Sequence, residues 1–310
     1  MFYRGLPLNI IDPDRVTDYR YTPNYVYSYF YEGFSIGKMN NEGYNNTFDF
    51  TRGMSLDVLL MGPSHMEAFQ VMPEENTANL LSNLSHQTVY NVGVSGHSLQ
   101  TCASHFEAAV KKYSPSRYVV MGIANIRLSD EVLTSVLEHN VPNVDKNFGQ
   151  RSALRLFLRE NPYLRFVWGK VHDTLKNNFL RKTELPASFS QNNPELLAKV
   201  LAQMSDTLSQ SKSGAKLIIA YHPPVSLNLD GSLKIESDPE VSRQFSELCA
   251  QNGIYFLDMS ERFLSEYAKD YTLPYGFINT SVASGHLNKY GHRMFAEEIY
   301  KLMQRIEAQS

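Results

Sequence analysis

A serine and a histidine stand side by side where an apolar run stops, in DVLLMGPSHMEAF at 57–69. A serine hydroxyl is a weak nucleophile until a neighbouring base takes its proton, and histidine is the commonest such base. Ser64 follows a tight Gly62-Pro63 turn and opens what reads as a helix, whose dipole favours negative charge at that end. His65 points away from Ser64 in most turn geometries, so it is not expected to be the base. A second histidine, His286, lies in SVASGHLNKYGHRMFAEEIY at 281–300, on a loop just before the last helix. Spacing alone leaves His286 open between a base for Ser64 and a solvated or structural loop residue.

Other motifs offer less. GVSGH at 93–97 nearly spells the Gly-x-Ser-x-Gly nucleophile elbow, but its last position is His97, which makes Ser95 the lesser candidate. There is no Gly-x-Gly-x-x-Gly, no P-loop and no His-Glu-x-x-His. His65, His286 and His292 have no carboxylate or thiol at metal-ligand spacing, so neither metal nor cofactor is expected. His222, in the HPP at 222–224, reads as a strand stop.

The elements that must position Ser64 and His286 are legible as a pattern. Strand-length apolar runs occur at 57–62, 88–93, 117–123, 216–221 and 254–259, and none alternates, as expected for strands covered on both faces. Amphipathic helices lie between them, at 98–113 behind an N-cap Ser98, at 238–252 behind Asp238-Pro239, and at about 289–307. Such alternation implies right-handed crossovers and an α/β fold: a doubly wound, mostly parallel five-stranded sheet in the flavodoxin-like order 2-1-3-4-5. In that order the turn carrying Ser64 and the loop carrying His286 return to the same sheet edge. Residues 1–50 are dense in Tyr, Phe and Asn without a period, and read as an irregular aromatic arm packed on the body at 51–310, with sugar stacking as the alternative. Residues 130–192 interrupt the alternation with helical pieces and the single Trp168. This insertion after the third strand reads either as a lid or recognition flap at the ligand-binding edge, or as a helical subdomain that completes the core.

Composition narrows the partners. Of 310 residues, 43% are hydrophobic and 20% charged, and Lys+Arg 29 against Asp+Glu 32 gives a net charge of −3 without a long run of one sign. Nothing here predicts nucleic acid or an anionic membrane as a partner. No apolar run is long enough to span a bilayer. Cys102 and Cys249 fall in apolar helical patterns and read as buried free thiols.

Taken together, MGPSH after the first strand, NVGVSGHS after the second, GIAN after the third and GHLNKYGH before the last helix resemble the SGNH (GDSL-like) hydrolase superfamily, and most its envelope-associated branch of sugar O-acetyltransferases and acetylesterases. The resemblance covers 57–126 and 214–306. It implies Ser64 as nucleophile, His286 as general base, and an oxyanion hole of the Ser64 N–H, the Gly93 N–H and the Asn125 side-chain amide. It also reads Asn288 as a loop brace and His292 as a helix residue without special role. The implied activity is ester hydrolysis or O-acyl transfer through an acyl-Ser64 intermediate, on acetyl groups of a small-molecule or polysaccharide ester; the alternative is an inactive module that binds glycan or protein. Relatives of this branch commonly work outside the cytoplasmic membrane behind an N-terminal anchor, so location stays open between an envelope protein lacking that anchor here and a cytoplasmic one.

Three positions depart from the family pattern. Pro63 replaces the residue before the nucleophile, and Asn125 lies one place beyond the usual Gly-x-Asn spacing, where Ala124 stands. The third is the acid: the family's Asp lies three residues before the histidine, and that position is Ala283. His286 then needs another partner to fix its tautomer, from a backbone carbonyl, Asn279, Ser281 or Ser284, giving a Ser-His dyad. Asp258, ending the fifth strand, is the other carboxylate worth attention.

Overall fold

The computed structural model describes residues 6–126, 130–138, 193–211 and 213–309. Five strands, β5 (Val58–Met61), β6 (Val89–Asn91), β7 (Tyr118–Ile123), β8 (Lys216–Tyr221) and β11 (Tyr255–Asp258), form one sheet in the order β6-β5-β7-β8-β11. All four pairings are parallel. This is the 2-1-3-4-5 order expected from the strand–helix alternation.

The non-alternating runs have a direct physical reading. Leu59, Met61, Val119, Met121, Leu217 and Ile219 bury into one core, while Val58, Leu60, Val120, Ile218 and Ala220 bury into a second on the opposite face. Successive side chains of a strand point to opposite faces, so apolar residues at every position require a cover on both. One cover is built by helices α3 (Leu99–Tyr113), α5 (Pro194–Gln210) and α6 (Pro239–Gln251), the other by α2 (Thr77–Ser85), α7 (Ser260–Asp270) and α8 (Lys289–Ala308). The predicted caps are in place: Ser98 Oγ accepts from Thr101 N at 3.3 Å, and Asp238 Oδ1 from Glu240 N at 3.0 Å. Cys102 and Cys249 are buried free thiols, each pushed up to about 12 by desolvation.

The arm is more ordered than its sequence suggests. It carries two antiparallel pairs, β1 (Asn9–Ile11) with β2 (Tyr19–Tyr21) and β3 (Val26–Tyr29) with β4 (Ser35–Lys38). Strands of three or four residues are too short to show a period. Tyr19, Tyr21, Tyr27 and Tyr44 are buried in the first core, and Tyr21 and Tyr27 meet Phe69 edge-on at 5.2 and 4.7 Å. Those four rings are packing groups and leave no face for a sugar. Arm asparagines also bond to the body. Asn46 accepts from Asn91 N and donates to Asn91 O, both at 2.8 Å, satisfying backbone groups of the edge strand β6. Asn45 Nδ2 donates to Glu67 O at 2.7 Å.

A further antiparallel pair, β9 (Val225–Leu227) with β10 (Leu233–Ile235), follows the HPP turn. Of the interruption placed at 130–192, only α4 (Asp130–Leu137) and Glu138 are described; Trp168 and the rest lie outside the described residues. No helix among the described residues is long and apolar enough to cross a membrane.

Candidate active site

Ser64 opens the one-turn helix α1 (Ser64–Glu67), directly behind the Gly62-Pro63 turn that ends β5. The turn closes on itself, with Met66 N and Glu67 N both donating to Pro63 O at 2.8 and 3.1 Å. Those bonds leave Ser64 half-buried at the carboxyl edge of the sheet. His286 comes from the loop ahead of α8. That loop is held by backbone bonds from Asn288 N to Pro274 O (2.9 Å) and Gly276 N to His286 O (3.3 Å). Asn288 braces it further: its Oδ1 caps α8 at Tyr290 N and Gly291 N, and its Nδ2 donates to Leu273 O at 2.8 Å and Gly276 O at 3.2 Å.

The two residues meet across the sheet edge, with Ser64 Oγ 2.7 Å from His286 Nε2. The other ring nitrogen, Nδ1, lies 2.5 Å from Oε2 of Glu32, a residue of the arm between β3 and β4. The second carboxylate oxygen of Glu32 accepts the His286 backbone N–H at 2.6 Å. Burial pushes the Glu32 carboxyl up, but the hydrogen bonds from the His286 ring and backbone outweigh it and hold the carboxyl below its ordinary range. An ionised carboxylate can only accept, so Nδ1 carries the hydrogen and Nε2 presents its lone pair to the Ser64 hydroxyl.

The ring nitrogen of His286 is therefore met by a carboxylate from the other end of the chain. Ala283 itself is 4% exposed in the second core, where a carboxylate would be desolvated among apolar neighbours. The alternative partners named for His286 do not hold its ring. Asn279 instead clamps the arm beside Glu32, accepting from Gly33 N at 2.9 Å and donating to Phe30 O and Gly33 O at 3.1 Å. Gly285 makes room for the carboxylate: it sits at φ +86°, and a Cβ there would fall 1.9 Å from Glu32 Oε1. Asp258 is engaged elsewhere, accepting from Ser242 Oγ and from Ser260 N and Oγ.

His65 is beside the site but not in the chain of bonds. Its Nδ1 accepts from Leu287 N at 3.2 Å, and its ring packs 4.8 Å from that of His286 and 4.4 Å from that of His222. Desolvation and the neighbouring imidazoles hold it well below the usual histidine range, so it stays neutral. His292, expected to have no role, is fully buried with Nδ1 2.8 Å from Thr77 Oγ1.

The expected oxyanion donors are placed unequally. The Ser64 N–H is the first of its helix and has no acceptor within it. Asn125 is exposed on the loop directly after β7. Gly93, however, commits its N–H to Asn91 Oδ1 at 2.8 Å, and Asn91 Nδ2 in turn donates to Met66 O at 2.6 Å. The glycine is needed because the chain packs closely there. A Cβ on Gly93 would lie 2.7 Å from Glu67 N and 2.8 Å from Met66 C and Cβ, inside the backbone of α1. Gly93→Ala is thus expected to destabilise the protein by about 1–3 kcal/mol through overpacking, measured as a lowered urea midpoint.

Glu67, at the other end of α1, ties the site to the arm a second time. Its fully buried carboxyl accepts from Tyr21 Oη at 2.5 Å, Ser95 N at 3.1 Å and Ser95 Oγ. Burial nevertheless prevails over these donors and raises it to about 7.

No family model and no curated protein matches the chain. Solved structures to which it is similar include an acetyl xylan esterase (14% identity, TM-score 0.45, covering 79% of this chain and 98% of that one). Others are a putative SGNH hydrolase from Slackia heliotrinireducens (14% identity, TM-score 0.44, 81% and 100%) and a putative arylesterase from Agrobacterium tumefaciens (12% identity, TM-score 0.42, 82% and 100%). What the chain is similar to, by those titles, is a group of esterases and SGNH-type hydrolases.

Proposed function

We propose that this chain is an SGNH-type serine ester hydrolase or O-acyltransferase whose nucleophile is Ser64, with His286 as general base and Glu32 as the acid that orients it. The observation that carries this reading is the unbroken line from Ser64 Oγ to His286 Nε2 at 2.7 Å and from His286 Nδ1 to Glu32 at 2.5 Å. A missing acid at position 283 would favour a non-catalytic module, and the Glu32 carboxylate on His286 Nδ1 removes that reason.

In the proposed reaction Ser64 Oγ attacks the ester carbonyl as its proton passes to His286 Nε2. The imidazolium so formed is stabilised by the Glu32 carboxylate without taking its proton. The tetrahedral oxyanion would be met by the Ser64 N–H and the Asn125 amide; preorganised donors of this kind are worth about 3–4 kcal/mol each. Gly93 would join them only by exchanging its bond to Asn91. Collapse breaks the ester C–O bond, and His286 returns the proton to the leaving alkoxide. Water or an acceptor hydroxyl, deprotonated by the same imidazole, then attacks the acyl carbonyl; the acyl C–Oγ bond breaks and His286 returns the proton to Ser64 Oγ. Hydrolase and transferase differ only in that last nucleophile. Acetyl groups on a carbohydrate are the substrate class that the family resemblance favours.

Turnover of p-nitrophenyl acetate tests the assignment. Ser64→Ala and His286→Ala should each lower kcat by roughly 10⁴-fold or more, and a fluorophosphonate should label the wild type on Ser64 alone. A wild type that neither turns over nor is labelled would return the chain to the binding-module class. Adding an acetylated glycan donor and a free glycan acceptor separates transfer from hydrolysis.

A further inference from the structure

A second cluster of chemistry-bearing side chains lies where three segments meet. Asp18 comes from the arm just before β2, His97 from the loop between β6 and α3, and His105 from the middle of α3. Their ligand atoms all fall within 4.8 Å of one another. His105 Nε2 is 2.9 Å from Asp18 Oδ1, and His97 Nε2 is 3.7 Å from Asp18 Oδ2. The two imidazoles are nearly parallel, 13° between planes with centroids 5.8 Å apart. Both histidine side chains are 3% exposed, and that of Asp18 is 28% exposed.

The hydrogen-bond chemistry of the cluster asks for a cation. His105 Nδ1 is 2.8 Å from the Arg15 carbonyl oxygen, which can only accept, so Nδ1 carries a hydrogen. In a neutral ring the Nε2 lone pair then faces a carboxylate oxygen at 2.9 Å, an acceptor against an acceptor. His97 Nε2 has no hydrogen-bond partner among the described residues although its side chain is almost wholly buried. Leaving such an atom desolvated and unsatisfied is unfavourable. One cation between the two Nε2 atoms and the carboxylate would satisfy all three groups. A carbonyl behind the far nitrogen of a ligating histidine is the usual arrangement that orients it.

We propose that Asp18, His97 and His105 bind a single divalent transition-metal ion of the Zn²⁺ type. Two imidazole nitrogens select such an ion over Ca²⁺ or Mg²⁺, which take oxygen ligands. Ligands about 2.0–2.1 Å from a tetrahedral centre lie roughly 3.3 Å apart, so the side chains need close by only ~1.5 Å at the widest pair. The partly exposed face of Asp18 leaves the fourth position to water. Bound there, the ion would pin the arm to the loop after β6 and to α3. None of the three ligands is among the groups proposed to act at Ser64, and the proposal holds whether or not the chain is an esterase.

Calorimetric titration of the full chain with ZnCl₂, after treatment with a chelator, tests it. One Zn²⁺ per chain is expected, both in the wild type and in Ser64→Ala/His286→Ala, which removes the imidazole beside Ser64. His97→Ala and His105→Ala should each weaken binding by at least about tenfold, and Co²⁺ should give a visible absorption band that both lose. Asp18→Asn, at the partly exposed ligand, keeps the test open should a histidine variant not fold; it too must lose at least about tenfold. Absence of saturable binding by the wild type overturns the proposal and leaves Asp18 paired with His105 alone. Binding unchanged by Asp18→Asn and His97→Ala overturns it equally.

Discussion

Exchanging Glu32 for glutamine is expected to lower kcat on p-nitrophenyl acetate by about 10²–10⁴-fold, with KM little changed. The reasoning is geometric. Glu32 grips His286 at two points, Nδ1 and the backbone N–H, at 2.5 and 2.6 Å. A glutamine can keep one acceptor there, but its amide nitrogen is a donor. If the amide oxygen serves Nδ1, the NH₂ group opposes the His286 N–H; if it serves the N–H, the NH₂ opposes Nδ1 and drives the ring to the wrong tautomer. In that tautomer Nε2 carries the hydrogen and has no lone pair for the Ser64 proton. Glu32→Asp, one methylene shorter, cannot span both contacts and should fall between glutamine and wild type. Gly285→Ala should match the Glu32→Gln loss without touching either residue, because its Cβ would occupy the space of Glu32 Oε1. Far-UV circular dichroism must show all three folded. Wild-type turnover in folded Glu32→Gln would reduce Glu32 to an arm anchor and leave a Ser-His dyad.

Why Glu32 escaped the sequence, while Ser64 and His286 did not, is a matter of reach. The sheet order follows from five apolar runs and the helices between them, and that order alone returns the Ser64 turn and the His286 loop to one edge. The family pattern places the acid three residues before His286, at Ala283, within the same loop. Here it lies 254 residues away, in a segment whose strands are too short to show a period. Two signals were present nonetheless. Ala283 marked a missing partner, and Tyr-Glu-Gly in an aromatic stretch placed one acidic residue before a flexible one. The surroundings of Gly93 are hidden for a related reason: nothing local reveals that Asn91 takes its N–H or that α1 crosses directly over it. Asp18, His97 and His105 come from three separate segments, and no spacing rule joins them.

The site thus depends on a docked arm. Glu32 completes the line to Ser64, while Tyr21 and Asn45 hold the two ends of Glu67, carboxyl and carbonyl, on the helix that carries the serine. A core that buries these arm groups must also bury polar atoms of the body against them. Glu67 is one such group, and His65, His222 and His292 are desolvated as well.

Acid should therefore unfold this protein unusually early. His222 and His292 are fully buried, and burial first, then repulsion from neighbouring imidazoles, lowers each to about 3. An unfolded histidine titrates near 6.5, so between pH 6.5 and about 3 the unfolded chain binds more protons than the folded one. Stability from these two groups is complete above 6.5 and is lost as pH falls, at about 1.4 kcal/mol per unit for each, or about 2.7 kcal/mol per unit together. His65 is lowered for the same reason and adds to the loss. Glu67 works in the opposite sense. Raised to about 7 from 4.5, it contributes stability that is full below 4.5 and disappears as pH rises through 7, so acidification first returns some of what the histidines lose. The two effects partly offset one another between about 6.5 and 4.5, and below 4.5 the histidines act unopposed. Urea midpoints measured from pH 8 to 4 should consequently fall gently at first and then steeply. His292→Asn should flatten the acid limb by about 1.4 kcal/mol per pH unit, at the cost of its bond to Thr77. Glu67→Gln should remove the gentle region and start the decline near 6.5. A midpoint that holds constant down to pH 4.5 in both the wild type and Glu67→Gln would mean that these imidazoles are protonated in the folded state, with partners that their buried positions do not supply.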